Sequence, residues 1–281
     1  MKANTKFKNS VFSFLFSDPD ILRELYCALQ GVSLSKDIPV KINTLQDVLF
    51  MDKVNDISFE IGGKLVVLIE HQSTINPNMA LRLLMYIARI YEKIIDRKNI
   101  YSVRFQPLPR PEFFVLYNGT AEYPDETILK LSDAFESTVS LGLPEKAVPA
   151  LELLVKVINI KYGRNEIITK RCKTLASYSA FVGKVQEYEK QNPVLEEAVK
   201  KAVQYCVDHD ILKEFLEQNS SEVMNMLILD WNMEDALAVR YEEGKEEVAR
   251  NAFTIGLSIE VIHNITGLDM ETLKKIQSQN T

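Results

Sequence analysis

The sequence predicts an α/β fold followed by an all-helical C-terminal region, and three observations carry that prediction. Residues 54–61 alternate, with Ile57, Phe59 and Ile61 on one side and Asp56, Ser58 and Glu60 on the other. Residues 64–72 form a mostly apolar run, the pattern of a central strand covered on both faces. After Gly163 the strand patterns cease, and the remaining residues read as helices broken near Pro193, Asn219 and Gly244. A boundary near Tyr162 divides the expected core, 1–162, from a helical region, 163–281, expected to regulate or oligomerise the core.

The elements follow in order. Lys8 to Phe16 reads as a short helix. Asp18 caps a second, with Pro19 in its first turn, Ile21, Leu22, Leu25 and Leu29 on its inner face, and Gly31 at its end. Asp47 to Met51 is a short strand candidate, followed by strands over Val54–Ile61 and Lys64–Gln72. A long helix opens at Asn76-Pro77-Asn78 and runs to about Arg97; Leu84, Ile87, Ala88, Tyr91, Ile94 and Ile95 recur at helical spacing and are expected to face the sheet. Pro107, Pro109 and Pro111 stiffen a non-helical connector. Strands are expected over Glu112–Tyr117, stopped by Asn118-Gly119, and Leu151–Ile160, where Val155, Val157 and Ile158 favour that state. Near the end, Ser258 caps one short helix, Gly267 closes it, and Asp269 caps another.

Composition narrows the function classes. A chain of 281 residues, 46% hydrophobic, buries a full core and is not disordered by composition. The net charge of −6 is unevenly spread. Residues 1–120 hold 15 Lys+Arg against 12 Asp+Glu, a balance of +3, which leaves −9 for the remainder. A polyanion is therefore expected to meet the N-terminal part. Cys27, Cys172 and Cys206 are odd in number and widely spaced, which argues against a disulfide framework. Cys206 and His209 have a ligand-like spacing but no second pair accompanies them, so a packed thiol is the expected role. No apolar run approaches the roughly 18 residues that span a bilayer, and a reducing cytoplasm fits the cysteine usage.

The chemistry concentrates at the first hairpin. Glu70 and Gln72 lie two apart on one strand and share a face, while His71 points the other way. A two-residue Gly62-Gly63 turn would set Asp56 opposite Ile69. A three-residue loop, Gly62-Gly63-Lys64, pairs Ile61 with Leu65 and sets Asp56 opposite Glu70, and this register is the expected one. Two carboxylates facing across a strand pair repel and need a compensator: solvent, a base or a cation. Mg²⁺ suits the set, because it takes a few carboxylate oxygens and keeps several waters. The competing reading makes Asp56 and Glu70 ordinary acidic strand ends.

The run Leu68-Ile69-Glu70-His71-Gln72-Ser73-Thr74 with Asn76-Pro77-Asn78-Met79-Ala80-Leu81-Arg82 resembles the recombination-promoting nuclease / putative transposase family, of the PD-(D/E)XK nuclease superfamily. Phe7–Phe12, Asn55-Asp56, Leu116–Gly119, Glu242–Gly244 and Gly256–Ser258 extend the resemblance over nearly the whole chain. It implies a restriction-endonuclease-like mixed sheet flanked by helices and a metal-dependent DNA endonuclease, using Mg²⁺ or Mn²⁺, that promotes recombination. Asp56 and Glu70 would bind the metal, with Gln72 as the third catalytic position. Gln72 stands where the wider superfamily carries Lys, and Asn9 where many relatives carry Asp. Gln orients water or phosphate only through its amide.

Arg82, Tyr86, Arg89 and Lys93 fall at i, i+4, i+7 and i+11, on a stripe expected opposite the helix's apolar face. Cations with an interleaved aromatic suit phosphate contact and stacking, so DNA is the expected partner, with weak sequence preference. The competing reading is a solvated helix face. Arg104 and Arg110 would extend the surface. The terminal helix pair reads either as a helix-turn-helix or as a docking element for a second copy; its sparse basic residues favour docking and a homo-oligomer. Structural roles are expected for His71 and His263. The alternative to a nuclease is a nuclease-like fold, weak or inactive in cleavage, that binds DNA or a protein.

Overall fold

The computed structural model describes residues 10–43, 56–142, 149–191 and 194–279. The strand expected over Asp47–Met51, Asn9, Asn55 and the break at Pro193 lie outside these residues. The chain forms two compact units, residues 1–226 and 227–281.

The first unit is mixed α/β. Its sheet has six strands: β1 (Val40–Asn43), β2 (Asp56–Ile61), β3 (Leu65–Gln72), β4 (Arg110–Tyr117), β5 (Glu126–Lys130) and β6 (Leu154–Asn159). Their order is β1-β2-β3-β4-β6-β5, with β3, β4 and β6 parallel and the outer pairings antiparallel. β3 is central, as its apolar run demands: Val66, Val67, Leu68 and Ile69 are all buried. The β2–β3 hairpin takes the expected register, pairing Asp56 with Glu70, Ile57 with Ile69, Phe59 with Val67 and Ile61 with Leu65. Gly62 and Gly63 both adopt positive φ (58° and 64°), the region that primed hairpin turns require and that glycine enters without penalty.

The helices of this unit are α1 (Val11–Leu15), α2 (Pro19–Gln30), α3 (Met79–Ile94), α4 (Arg97–Ile100), α5 (Glu166–Thr169), α6 (Lys173–Gln191) and α7 (Leu195–Asp208). The Asp18 carboxylate accepts from the backbone of Asp20 and Ile21, and Gly31 closes α2 in the left-handed region, as the sequence pattern requires. α3 crosses one face of the sheet. Met79, Leu83, Ile87 and Ile90 pack there against Val66, Leu68, Val115 and Tyr117. The helical face differs from the expected one. Ile87 is buried, Leu84 and Tyr91 only partly, while Ala88 and Ile94 are exposed. α3 is apolar around most of its circumference, so periodicity alone does not choose the buried stripe. On the opposite face α1 and α6 meet the sheet through Phe12, stacked on His71, and Tyr178, edge-on to it. α6, downstream of Tyr162, is tied to the first unit by Ser179 donating to the Ile160 carbonyl (2.6 Å) and Gln186 to the Asn118 carbonyl (3.0 Å).

Every described regular element after Gly163 is a helix, as expected. The long helix α8 (Lys213–Thr254) departs from helical geometry at Asn219 (φ −130°). In the second unit, α9 (Ile259–Thr266) and α10 (Met270–Gln279) close a small core of Ala249, Ile262, Leu268, Leu273 and Ile276. Ser258 and Gly267 cap α9, and the Asp269 carboxylate accepts from the backbone of Glu271 and Thr272 at the start of α10.

Candidate active site

The end of β3 is held by its neighbour. The Asn118 amide donates to the Gln72 carbonyl (3.0 Å), and Gly119 lies so close to strand β3 that a Cβ there would sit 1.8 Å from the Ser73 carbonyl oxygen. Only glycine permits that approach. The side chains of Glu70 and Gln72 then project onto the face that α3 crosses, because even-numbered residues of β3 share it with Val66 and Leu68.

Glu70 is the centre of the arrangement. It is 3% exposed. Its Oε1 lies 2.8 Å from Nη1 of Arg82, one turn into α3, and accepts from Nε2 of Gln72 at 2.6 Å. Nε2 of Gln72 also lies 2.8 Å from Sδ of Met79. The Arg82 guanidinium donates through Nη2 and Nε to the Tyr86 hydroxyl (3.0 and 3.4 Å), which fixes its direction from below. Glu70 Oε2, in contrast, is buried and has no hydrogen-bond partner among the described residues. Burial pushes the Glu70 carboxyl above the usual carboxylate range, against the pull of Arg82 and the Gln72 amide. A buried carboxyl with one unanswered oxygen carries a desolvation cost that a cation would relieve.

That oxygen bears on the implied metal. Backbone register sets Asp56 directly across from Glu70. A buried carboxyl with one oxygen unanswered among the described residues, beside a strand position that carries an aspartate, is the donor chemistry that a hard divalent cation with a partly aqueous shell would take. Arg82 holds the other oxygen, so cation and guanidinium would share the Glu70 carboxylate. Among the described residues no three His, Cys, Asp or Glu side chains cluster as a metal site. Cys206 and His209 do not pair either: Cys206 is fully buried, its thiol pushed up to about 11 by burial, while His209 stacks on Tyr205 and its Nδ1 contacts the Tyr205 carbonyl at 2.8 Å.

His71 points away from Glu70, as expected. Its ring stacks on Phe12 (centroids 4.8 Å apart), and Nε2 lies 3.2 Å from the Tyr178 hydroxyl. Burial pushes its pKa down to about 4, so the ring is neutral near pH 7 and has no acid–base part in the carboxylate site. His263 likewise contacts the Leu268 carbonyl through Nδ1 (2.7 Å) within the second unit.

The expected stripe on α3 is corrected. Tyr86 is 6% exposed and belongs to the buried face, and Arg82 turns inward to Glu70. Arg89 and Lys93 do lie in solvent, with Arg89 paired to Glu92 at 2.8 Å. Arg104 and Arg110 are exposed, and Arg110 pairs with Glu112. The i, i+4 spacing of Arg82 and Tyr86 was the available signal for their contact. Read as a surface stripe, it missed that the pair braces the carboxylate.

Residues 27–181 match a family model described as "Putative transposase, YhgA-like". Neither the curated proteins nor the solved structures yield a match to the chain.

Proposed function

The chain belongs to the YhgA-like putative transposase family, and on that premise we propose that it is a metal-dependent DNA endonuclease that hydrolyses phosphodiester bonds and promotes recombination. One observation carries the reading: a buried carboxylate, Glu70, keeps one oxygen without a hydrogen-bond partner among the described residues, at the backbone position paired with Asp56. Surface strand ends do not bury a carboxylate this way, because water satisfies them at no cost.

Asp56 and Glu70 hold Mg²⁺, for which Mn²⁺ substitutes. When bound, the metal supplies Lewis-acid activation of a phosphoryl oxygen and a more acidic water. Gln72, through its amide on Oε1, fixes the Glu70 rotamer so that Oε2 keeps its direction. Arg89 and Lys93, exposed along α3, bind backbone phosphates, which gives weak sequence preference and a steep salt dependence. No described helix is long and apolar enough to cross a membrane. The second unit serves assembly of a second copy, in keeping with its acidic approach and few basic residues. Supercoiled plasmid incubated with the protein is expected to be nicked with Mg²⁺ and left intact with chelator, and Asp56→Ala is expected to abolish nicking with an unchanged melting temperature. Equal nicking by the variant refutes the site.

A second reading has its own observation. Glu70 Oε1 is taken by both Arg82 and Gln72, and position 72 carries no charge. A site closed by these contacts binds DNA without cutting it. Chelator-insensitive DNA binding with no cleavage in Mg²⁺ or Mn²⁺ is the result that reading predicts.

A further inference from the structure

We propose that Arg82 is the cation that contacts the phosphate under attack, delivered from helix α3 rather than from strand β3. The inference rests on the nuclease reading and deepens it. Position 72 supplies only an amide, which donates a hydrogen bond but no charge to a phosphate. The guanidinium of Arg82 lies beside the same carboxylate, 2.8 Å from Oε1, and brings the missing charge.

Its setting suits that task. The Arg82 side chain is 32% exposed while that of Glu70 is 4% exposed, so the guanidinium bridges the buried carboxylate and solvent. Solvent is where a DNA backbone would arrive. The buried Tyr86 hydroxyl takes Nη2 and Nε from behind, so the side chain is ordered before substrate binds. An ordered planar fork meets phosphate oxygens with little further loss of freedom, which a flexible lysine does not match. Pre-placed positive charge also acts where charge develops in the transition state, without reorganisation. A purely structural arginine would be expected to be as buried as its carboxylate; the one-third exposure beside a buried Glu70 is what a substrate-facing role adds.

The test compares wild type, Arg82→Ala, Gln72→Lys and the double variant Arg82→Ala/Gln72→Lys. Three readouts are used: plasmid nicking in Mg²⁺, Mn²⁺ binding by calorimetry without DNA, and anisotropy of a labelled duplex in Ca²⁺ over a salt series. Arg82→Ala is expected to lower nicking by roughly 10²–10³-fold, the scale for losing one pre-organised electrostatic contact. Mn²⁺ binding is expected to persist, and the salt slope of DNA binding to fall by about one phosphate contact. The double variant returns a cation to the carboxylate and is expected to recover about tenfold or more of the lost rate. It also guards against a fold defect from leaving Glu70 without its partner. Wild-type nicking by Arg82→Ala, loss of Mn²⁺ binding along with activity, or no recovery in the double variant each overturn the proposal. If wild type itself does not nick, the nuclease reading fails, and Arg82 is judged on the salt slope alone: an unchanged slope in Arg82→Ala rejects the phosphate contact.

Discussion

Strand β3 carries two ionisable side chains in adjacent positions and treats them in opposite ways. On one face His71 is enclosed by Phe12 and Tyr178, bonded through Nε2 and held neutral. On the other face Glu70 is also withdrawn from solvent, yet one oxygen is crowded by Arg82 and Gln72 while the other has no partner among the described residues. Burial alone therefore does not mark a functional group. What separates the two faces is whether the polar valences are closed, and an open buried valence is costly unless a ligand fills it.

Mutations on the two faces should separate activity from stability. The largest effect is expected from Phe12→Ala, which empties a fully buried ring site and should cost about 3–5 kcal/mol of unfolding free energy, measured by urea denaturation. Nicking per folded molecule should be unchanged. Loss of activity at temperatures where the variant is folded would break the division between faces. On the other face Glu70→Gln keeps the volume and a carbonyl acceptor while removing the carboxylate, and Arg82, one-third exposed, keeps access to water, so the melting temperature should change little while nicking is lost. A large drop in melting temperature would make Glu70 a structural ion pair. Tyr178→Phe removes only the hydroxyl that meets His71 and should cost about 1 kcal/mol, again with nicking intact. The smallest effect concerns the thiols. Burial pushes Cys172 up to about 12 and Cys206 up to about 11, so both are neutral thiols at pH 8. A colorimetric thiol reagent should reach the half-buried Cys27 first and the other two only after unfolding. Rapid native labelling of Cys172 would show that the α6 side of the sheet is less closed than its packing indicates.

The hairpin at the site was the most legible part of the chain. Its register follows from side-chain alternation: only the three-residue loop sets Ile57 on Ile69 and Phe59 on Val67, and the same loop sets Asp56 on Glu70. The caps of α2, α9 and α10 were legible for a similar reason, since Asp18, Ser258 and Asp269 each answer backbone donors nearby. β1 and β5 were missed. Each is only four or five residues long and draws its stability from an edge pairing rather than a strong pattern of its own. The buried stripe of α3 was set wrongly because Met79, Leu83 and Tyr86 compete with Leu84, Ala88 and Ile95 at the same period. That error placed Tyr86 and Arg82 on a surface track. Local spacing shows that two residues share a helix face; which face turns to the sheet is fixed only by packing across it.

The most direct test of the account is nicking of supercoiled plasmid in Mg²⁺ by the purified protein beside Glu70→Ala. Nicking by wild type and none by a folded Glu70→Ala is the predicted result. Equal nicking by both, or DNA binding without nicking by either, contradicts the claim that the open oxygen of Glu70 is the seat of a metal-dependent cleavage site.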